Sequence, residues 1–117
     1  MLQFGQEGST RSATFVISES KVFNDGRNVQ AFMLKACLSE SEREANAFTS
    51  ALWSAIGPEG ERYQPSDWSD IQPGYHYEMP VSPGECVKGW LQFDTKDEIV
   101  EVRYQSQRGD RVAYAVP

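Results

Sequence analysis

The segment 82–93 constrains the fold of this chain more than any other part of the sequence. It opens with a turn signal, Pro83-Gly84, and continues as a short alternating run that contains a Gly89-Trp90 step. A Pro-Gly turn followed by a strand of this length is typical of antiparallel β-structure. The segment therefore predicts a chain built from short strands joined by tight turns.

Other parts of the chain repeat this pattern of a short strand beside a turn. Four further segments have strand character, at residues 13–18, 28–38, 98–105 and 111–116. Turn signals that contain glycine occur between them, at residues 24–26, 57–60 and 108–110. Segment 28–38 is apolar at both odd and even positions, which predicts a central strand covered on both faces. About seven short strands at this spacing indicate an all-β sandwich or barrel.

The segment 39–56 fits two structures. Ser39 with Glu42 has the spacing of a helix capping box, and apolar residues then recur at helical intervals up to Ile56. The same residues from Phe48 onward also alternate as a strand would. Local signals alone favour the helix.

Length and charge limit the classes of function. The chain has 117 residues and a net charge of −6, so it suits one hydrophobic core and carries an acidic surface. Its basic residues do not cluster, which argues against a nucleic-acid partner and against a polybasic membrane anchor. No apolar run approaches the roughly 18 residues of a membrane span, so we expect no membrane insertion in this chain.

The first twelve residues are predicted to be a flexible N-terminal segment that precedes a single domain over residues 13–117. Residues 1–12 lack the hydrophobic region of a signal peptide. A Met1 followed by polar residues also fits a domain whose export signal or anchor has been removed.

The chain has two cysteines, Cys37 and Cys86, each in a run with strand character. If the two strands lie in opposed sheets, their Cα atoms can reach the separation that a disulfide needs. Closing a loop of about 50 residues would stabilise the fold by about 4 kcal/mol in the chain-entropy model and would imply an oxidising compartment. Two buried unpaired thiols are the alternative.

No constellation of residues in the sequence indicates catalysis. His76 is the only histidine, and no serine lies in a nucleophile motif, so we predict no catalytic residue and no enzyme. Two acidic groups could supply oxygen ligands to calcium, namely Asp67 with Asp70, and Asp94 with Asp97 and Glu98. Neither has the EF-hand spacing, and solvated turns explain both. We therefore expect no metal and no cofactor.

The loop 63–77 is unusually aromatic for a polar segment that contains prolines. Its rings are Tyr63, Trp68, Tyr75 and Tyr77. Aromatic residues on a loop could form a stacking platform for a sugar, a glycan or a peptide. They could equally fold back and cover one end of a sandwich. Both alternatives stay open.

Several of these elements together resemble a known family. They are the strand 32–38, the segment 53–63 with its Gly-Pro-Glu-Gly turn, the block Pro83-Gly84/Gly89-Trp90/Phe93, and a final hairpin with Val102, Tyr104, Gly109 and Tyr114. The chain resembles small uncharacterised bacterial extracellular domains with an immunoglobulin-like sandwich, a group that includes the secreted mycobacterial immunoprotective antigen. The resemblance covers about residues 13–117.

The resemblance implies an antiparallel immunoglobulin-like β-sandwich of about seven strands. It implies a strand rather than a helix over 46–56, with room for one short helical turn near 39–45. It also implies an exported, extracellular or cell-surface, non-enzymatic domain that acts as a binding or structural module, often behind a lipoprotein or transmembrane anchor. A protein or a cell-wall component would be its partner. The alternative is a carbohydrate- or cell-wall-binding module that uses the aromatic loop 63–77.

Overall fold

The computed structural model describes residues 1–23, 28–43, 46–66, 73–75 and 79–117. Within these ranges the chain forms ten strands and one 3-10 turn. The strands are β1 (Glu7–Ser9), β2 (Ala13–Phe23), β3 (Val29–Leu38), β4 (Asn46–Phe48), β5 (Trp53–Ile56), β6 (Arg62–Tyr63), β7 (Met79–Val81), β8 (Cys86–Asp94), β9 (Glu101–Gln105) and β10 (Arg111–Ala115). The 3-10 turn is Ser50–Leu52. The turn predicted at 24–26 lies outside the described residues.

The strands form two antiparallel four-stranded sheets that pack face to face. The first sheet has the order β1-β2-β3-β8 and the second the order β10-β9-β5-β6, while β4 and β7 form a separate pair. Buried side chains from both sheets fill one core, including Phe15, Phe32, Leu91, Trp53, Val102 and Tyr114. The predicted all-β sandwich is therefore confirmed. No helix in the described ranges has the length and hydrophobicity to cross a membrane.

Strand β3 is the central strand that its sequence predicted. It pairs with β2 on one side and with β8 on the other. Its even positions face the core, and its outward face carries Ala31 and Met33, which are buried with Trp90 in a second, smaller cluster. The second cluster explains why both parities of this strand are apolar.

The second part of the ambiguous segment 39–56 forms two short strands, β4 and β5, with a 3-10 turn between them. The 3-10 turn Ser50–Leu52 begins after Thr49, whose Oγ1 accepts a hydrogen bond from the Ala51 N–H (3.1 Å). The helical turn expected near 39–45 is not found in its described part. There the Ser39 carbonyl accepts a hydrogen bond from the Glu42 N–H (3.1 Å) in a simple turn, and residues 44–45 lie outside the described residues.

The N-terminal residues 1–12, for which we expect flexibility, make main-chain contacts with the rest of the chain. Strand β1 pairs with β2, and Leu2 forms a bridge to Tyr114 in β10. The Tyr114 hydroxyl lies between two main-chain carbonyls, at 2.8 Å from the Gln6 oxygen and 2.7 Å from the Phe15 oxygen. These contacts tie the first residues of the chain to both sheets.

Candidate functional site

Of the four aromatic residues in the predicted platform, the structure describes two. Tyr75 is a core residue with only 2% of its surface exposed, so its ring offers no face to a ligand. Tyr63 lies in β6 and is half-buried. Trp68 and Tyr77 lie outside the described residues, as do His76, Asp67 and Asp70. The described part of the loop therefore does not bring Tyr63 and Tyr75 together on one surface.

Tyr75 is buried because its segment pairs with the edge of β8. The Tyr75 N–H donates to the Trp90 carbonyl (3.0 Å), and the Trp90 N–H donates to the Pro73 carbonyl (2.8 Å). Gly89 permits this approach, since a Cβ at that position would lie 2.7 Å from the Gly74 carbonyl carbon. The Gly-Trp step that first marked segment 82–93 thus holds the neighbouring loop against the sheet.

The phenol of Tyr75 is shielded from water in the core. Desolvation by burial raises its pKa, the phenol of Tyr104 adds to the rise, and the neighbouring Trp53 indole opposes it by a smaller amount. Within the described residues, neither the Tyr75 hydroxyl nor the Trp53 Nε1 has a hydrogen-bond partner of standard geometry. The phenol therefore stays protonated near neutral pH.

Tyr63 borders a cleft at one end of the sandwich. Its hydroxyl donates to Asp97 Oδ2 (3.0 Å) in the connection that follows β8. Desolvation raises the pKa of this phenol, and the hydrogen bond to Asp97 raises it further. The bond also holds the carboxylate of Asp97 in a defined position at the cleft.

The cleft has a volume of about 350 Å³, which is at the lower end of the range for small-molecule sites. It is lined by Val22, Asn28, Gln30 and residues 95–98. Gln30 organises its wall, because the Nε2 amide donates to the Thr95 carbonyl (2.9 Å) and to the Asp97 carbonyl (2.6 Å). One side chain of β3 thus fixes a connection more than 60 residues further along the chain, at Thr95 and Asp97.

The rim of the cleft has polar side chains that are not engaged elsewhere. Among the residues that the structure describes, Asn28, Lys96 and Glu98 make no side-chain hydrogen bond and no ion pair. Val22 adds an apolar surface that is 65% exposed. An amide, an ammonium, a carboxylate and an apolar patch around one cleft suit a small polar ligand with hydroxyl groups and a C–H face.

No group of three or more histidine, cysteine or acidic side chains gathers at one point within the described part of the chain. The sequence had suggested Asp94, Asp97 and Glu98 as oxygen ligands. The sequence did not suggest Gln30 as a residue of the cleft. A glutamine inside an apolar strand gives no indication in the sequence of which distant carbonyls its amide will bind.

The two cysteines form a disulfide, as predicted, but within one sheet. Cys37 in β3 and Cys86 in β8 are register partners with a Cα–Cα separation of 4.0 Å. The expected bridge between opposed sheets is wrong, because β3 and β8 are adjacent strands whose facing residues already lie at disulfide distance. Cys86 is exposed and Cys37 is half-buried, so the bond lies at the protein surface.

The two antiparallel sheets and their core define an immunoglobulin-like β-sandwich. MPT63, a secreted protein from Mycobacterium tuberculosis, has a similar structure, with a TM-score of 0.75 over 97% of this chain and 95% of that chain at 15% identity. The yjhA protein from Bacillus subtilis matches with a TM-score of 0.79 over 100% of both chains at 8% identity. A functionally unknown protein from Listeria monocytogenes matches with a TM-score of 0.69 over 97% and 82% of the two chains at 14% identity.

These similarities confirm the structural group that the sequence resembled. At such low identity they establish the fold and not the function. No protein-family model and no curated protein sequence matches this chain.

Proposed function

We propose that this protein is an exported, extracellular immunoglobulin-like module of a bacterial protein, with a structural or binding role. The observation that carries the proposal is the disulfide between Cys37 and Cys86 on the surface of the first sheet. Cytosolic reductants keep accessible cysteines reduced, whereas oxidising compartments preserve such bonds. The similar fold of MPT63, which is described as secreted, supports the same location.

The role that we propose is non-enzymatic. Both cysteines are committed to the disulfide, so neither is a thiolate nucleophile in this state. The single histidine, His76, stands in the sequence between two tyrosines in a loop bounded by glycine and proline. The tyrosine phenols with raised pKa values are protonated near neutral pH and are poor bases there.

The location is tested by fractionation of the native bacterium followed by thiol labelling. We expect the protein in the exported or surface fraction, with two alkylatable thiols only after reduction under denaturing conditions. Protease added to intact cells should degrade a surface-anchored form. A cytosolic protein with two reactive thiols would overturn the proposal.

A second candidate function is binding of a carbohydrate or a cell-wall component. The cleft beside Tyr63 favours it, because Asn28 and Glu98 offer hydrogen-bonding groups next to the exposed Val22. We therefore propose the cleft as the site, rather than a platform that includes Tyr75. A contribution from Trp68 and Tyr77 stays a prediction.

The cleft is tested by titrating the labelled protein with soluble peptidoglycan fragments and neutral oligosaccharides while recording amide chemical shifts. We expect shifts at Asn28 and at residues 95–98, and their loss in an Asn28→Ala/Glu98→Ala variant with unchanged thermal stability. A Trp68→Ala/Tyr77→Ala variant tests the loop separately. Saturable shifts confined to other surfaces would refute the cleft as the site.

A further inference from the structure

The Cys37–Cys86 disulfide joins two residues that the sheet already holds together. Strands β3 and β8 pair without interruption from Val29↔Asp94 to Cys37↔Cys86, and β2 pairs with the other edge of β3. The disulfide joins the last register pair of these strands, and Leu38 makes further main-chain hydrogen bonds to Gly84 and Glu85 beyond it. We expect this main-chain pairing to remain when the bond is opened.

The surface beside the disulfide carries two facing lysines. Lys35 and Lys88 are register partners, and each lies two residues from a cysteine on the same strand. Residues two apart share one face of a strand, so both lysines project from the same outward face as the sulfur atoms. Both are exposed, and neither forms an ion pair with any residue that the structure describes.

The arrangement of like charges is informative because it is unfavourable for the sheet. Like charges directly opposite each other destabilise an antiparallel pair. The acidic residue next to Cys86, Glu85, is engaged in the preceding turn, where its Oε1 accepts a hydrogen bond from the Ser82 N–H (2.9 Å). Its carboxylate stays charged in that turn, so the surface around the disulfide holds this negative charge together with the two lysines, in a protein with a net charge of −6.

We propose that Cys37–Cys86 is an exchange-active disulfide that an extracellular dithiol reductant opens while the domain remains folded. This goes beyond the proposed function, and its test on purified protein does not depend on where the protein resides. Cys86 is an exposed residue and Cys37 a half-buried one, so we take Cys86 Sγ as the atom attacked.

A thiolate of the reductant forms a bond to Cys86 Sγ, the S–S bond breaks, and Cys37 leaves as a thiolate that Lys35 and Lys88 stabilise. The second thiolate of the reductant then attacks its own sulfur in the mixed disulfide and releases Cys86 as a thiolate. The protein gains two electrons, the two thiolates take protons from water, and the dithiol becomes a disulfide.

The lysines favour this exchange in two ways. They attract the anionic attacking thiolate, and they stabilise the negative charge on the departing Cys37 sulfur, which makes it leave faster. A unit charge about 7 Å away in a water-like dielectric changes such a rate by about threefold, so two lysines give a factor of about five to ten at low salt. Salt should remove most of this factor.

The test measures reduction by dithiothreitol of the purified, air-oxidised protein, with thiols trapped by alkylation over time. We expect the disulfide of the native protein to be reduced no more than about 100-fold more slowly than that of the urea-unfolded chain. The circular dichroism spectrum should be unchanged when reduction is complete. Reduction only through global unfolding would be slower by a factor of about 10³ or more. That result would overturn the proposal.

A charge-neutral variant tests the role of the lysines. Lys35→Gln/Lys88→Gln should slow native-state reduction by about five- to tenfold at low salt and by little in 1 M salt. Lys96→Gln is the matched control, because Lys96 follows the opposite end of β8 and should leave the rate unchanged. Equal rates for the double variant and the parent protein at low salt would also overturn the proposal.

Discussion

The substitution Tyr114→Phe isolates one buried hydroxyl that joins three parts of the chain. Tyr114 is fully buried in β10, and its hydroxyl contacts the carbonyls of Gln6 and Phe15 at 2.8 and 2.7 Å. A phenol has one proton, so it donates fully to one carbonyl at a time or shares the proton between the two. Phenylalanine retains the ring and its packing and removes only the donor.

The expected cost follows from this geometry. A net hydrogen bond contributes about 0.5–1.5 kcal/mol, and a buried carbonyl left without its donor adds a desolvation penalty. The Phe15 carbonyl is buried and the Gln6 carbonyl is partly buried, so we expect a loss of about 1–2 kcal/mol in the free energy of unfolding. For a domain of this size the loss corresponds to a melting temperature lower by about 4–9 °C.

The assay is urea unfolding at equilibrium, which should show a lower midpoint with an unchanged slope. Tyr104→Phe is the matched control. Tyr104 also packs on Phe15 and Trp53, but within the described residues its hydroxyl makes no hydrogen bond. We expect that variant to differ from the parent by no more than about 0.5 kcal/mol. Equal losses in the two variants would refute the assignment of the stability to the Tyr114 hydroxyl.

Three further predictions address other contacts. Deletion of residues 1–9 removes β1, the packing of Phe4 on Phe32 and one acceptor of Tyr114, and should cost roughly 3 kcal/mol or more in urea unfolding. Gly89→Ala places a Cβ against main-chain atoms of Gly74 and should lower the free energy of unfolding by about 1–3 kcal/mol. Hydrogen exchange at the Trp90 amide should become faster, and unchanged exchange there would contradict the contact. Burial raises the pKa values of Tyr75, Tyr104 and Tyr114 in the folded state, so their contribution to stability is complete below the unfolded pKa of about 10 and is lost as pH rises above it. Urea midpoints measured from pH 8 to 11.5 should fall at the alkaline end, and Tyr75→Phe should make that fall shallower; an unaltered slope would contradict the burial of this phenol.

The longer strands could be predicted because each combines alternation with a nearby turn residue. Strand β3 was placed to within one residue, and β8 was placed after the Pro83-Gly84 turn. Gly84 has a φ of 84°, a conformation that suits glycine at that turn. The strand predicted over 98–105 begins only at Glu101. Before it, the Val100 N–H donates to the Ile56 carbonyl in β5 as the chain enters the second sheet.

The parts that could not be predicted depend on contacts between distant residues. The 3-10 turn at Ser50–Leu52 and the burial of Tyr75 both follow from how segments meet at the sheet edges. The wall of the cleft depends on the Gln30 amide, whose two carbonyl partners lie after β8. A local pattern contains no information on such pairs, so the candidate cleft could be found only in the folded molecule.

Unlike these contacts, the position of the disulfide within one sheet could have been predicted, because the sequence contains a signal for it. In β3 the even positions face the core, and Cys37 shares its odd parity with Lys35. In β8, Cys86 shares parity with Lys88. A bridge between two sheets needs both sulfur atoms to point inward, whereas a charged residue two positions away on the same strand marks an outward face. The parity of the lysines therefore favours adjacent strands of one sheet over an inter-sheet bridge. The same parity puts the lysines beside the bond, so the feature that locates the disulfide is also the one that would make it reactive.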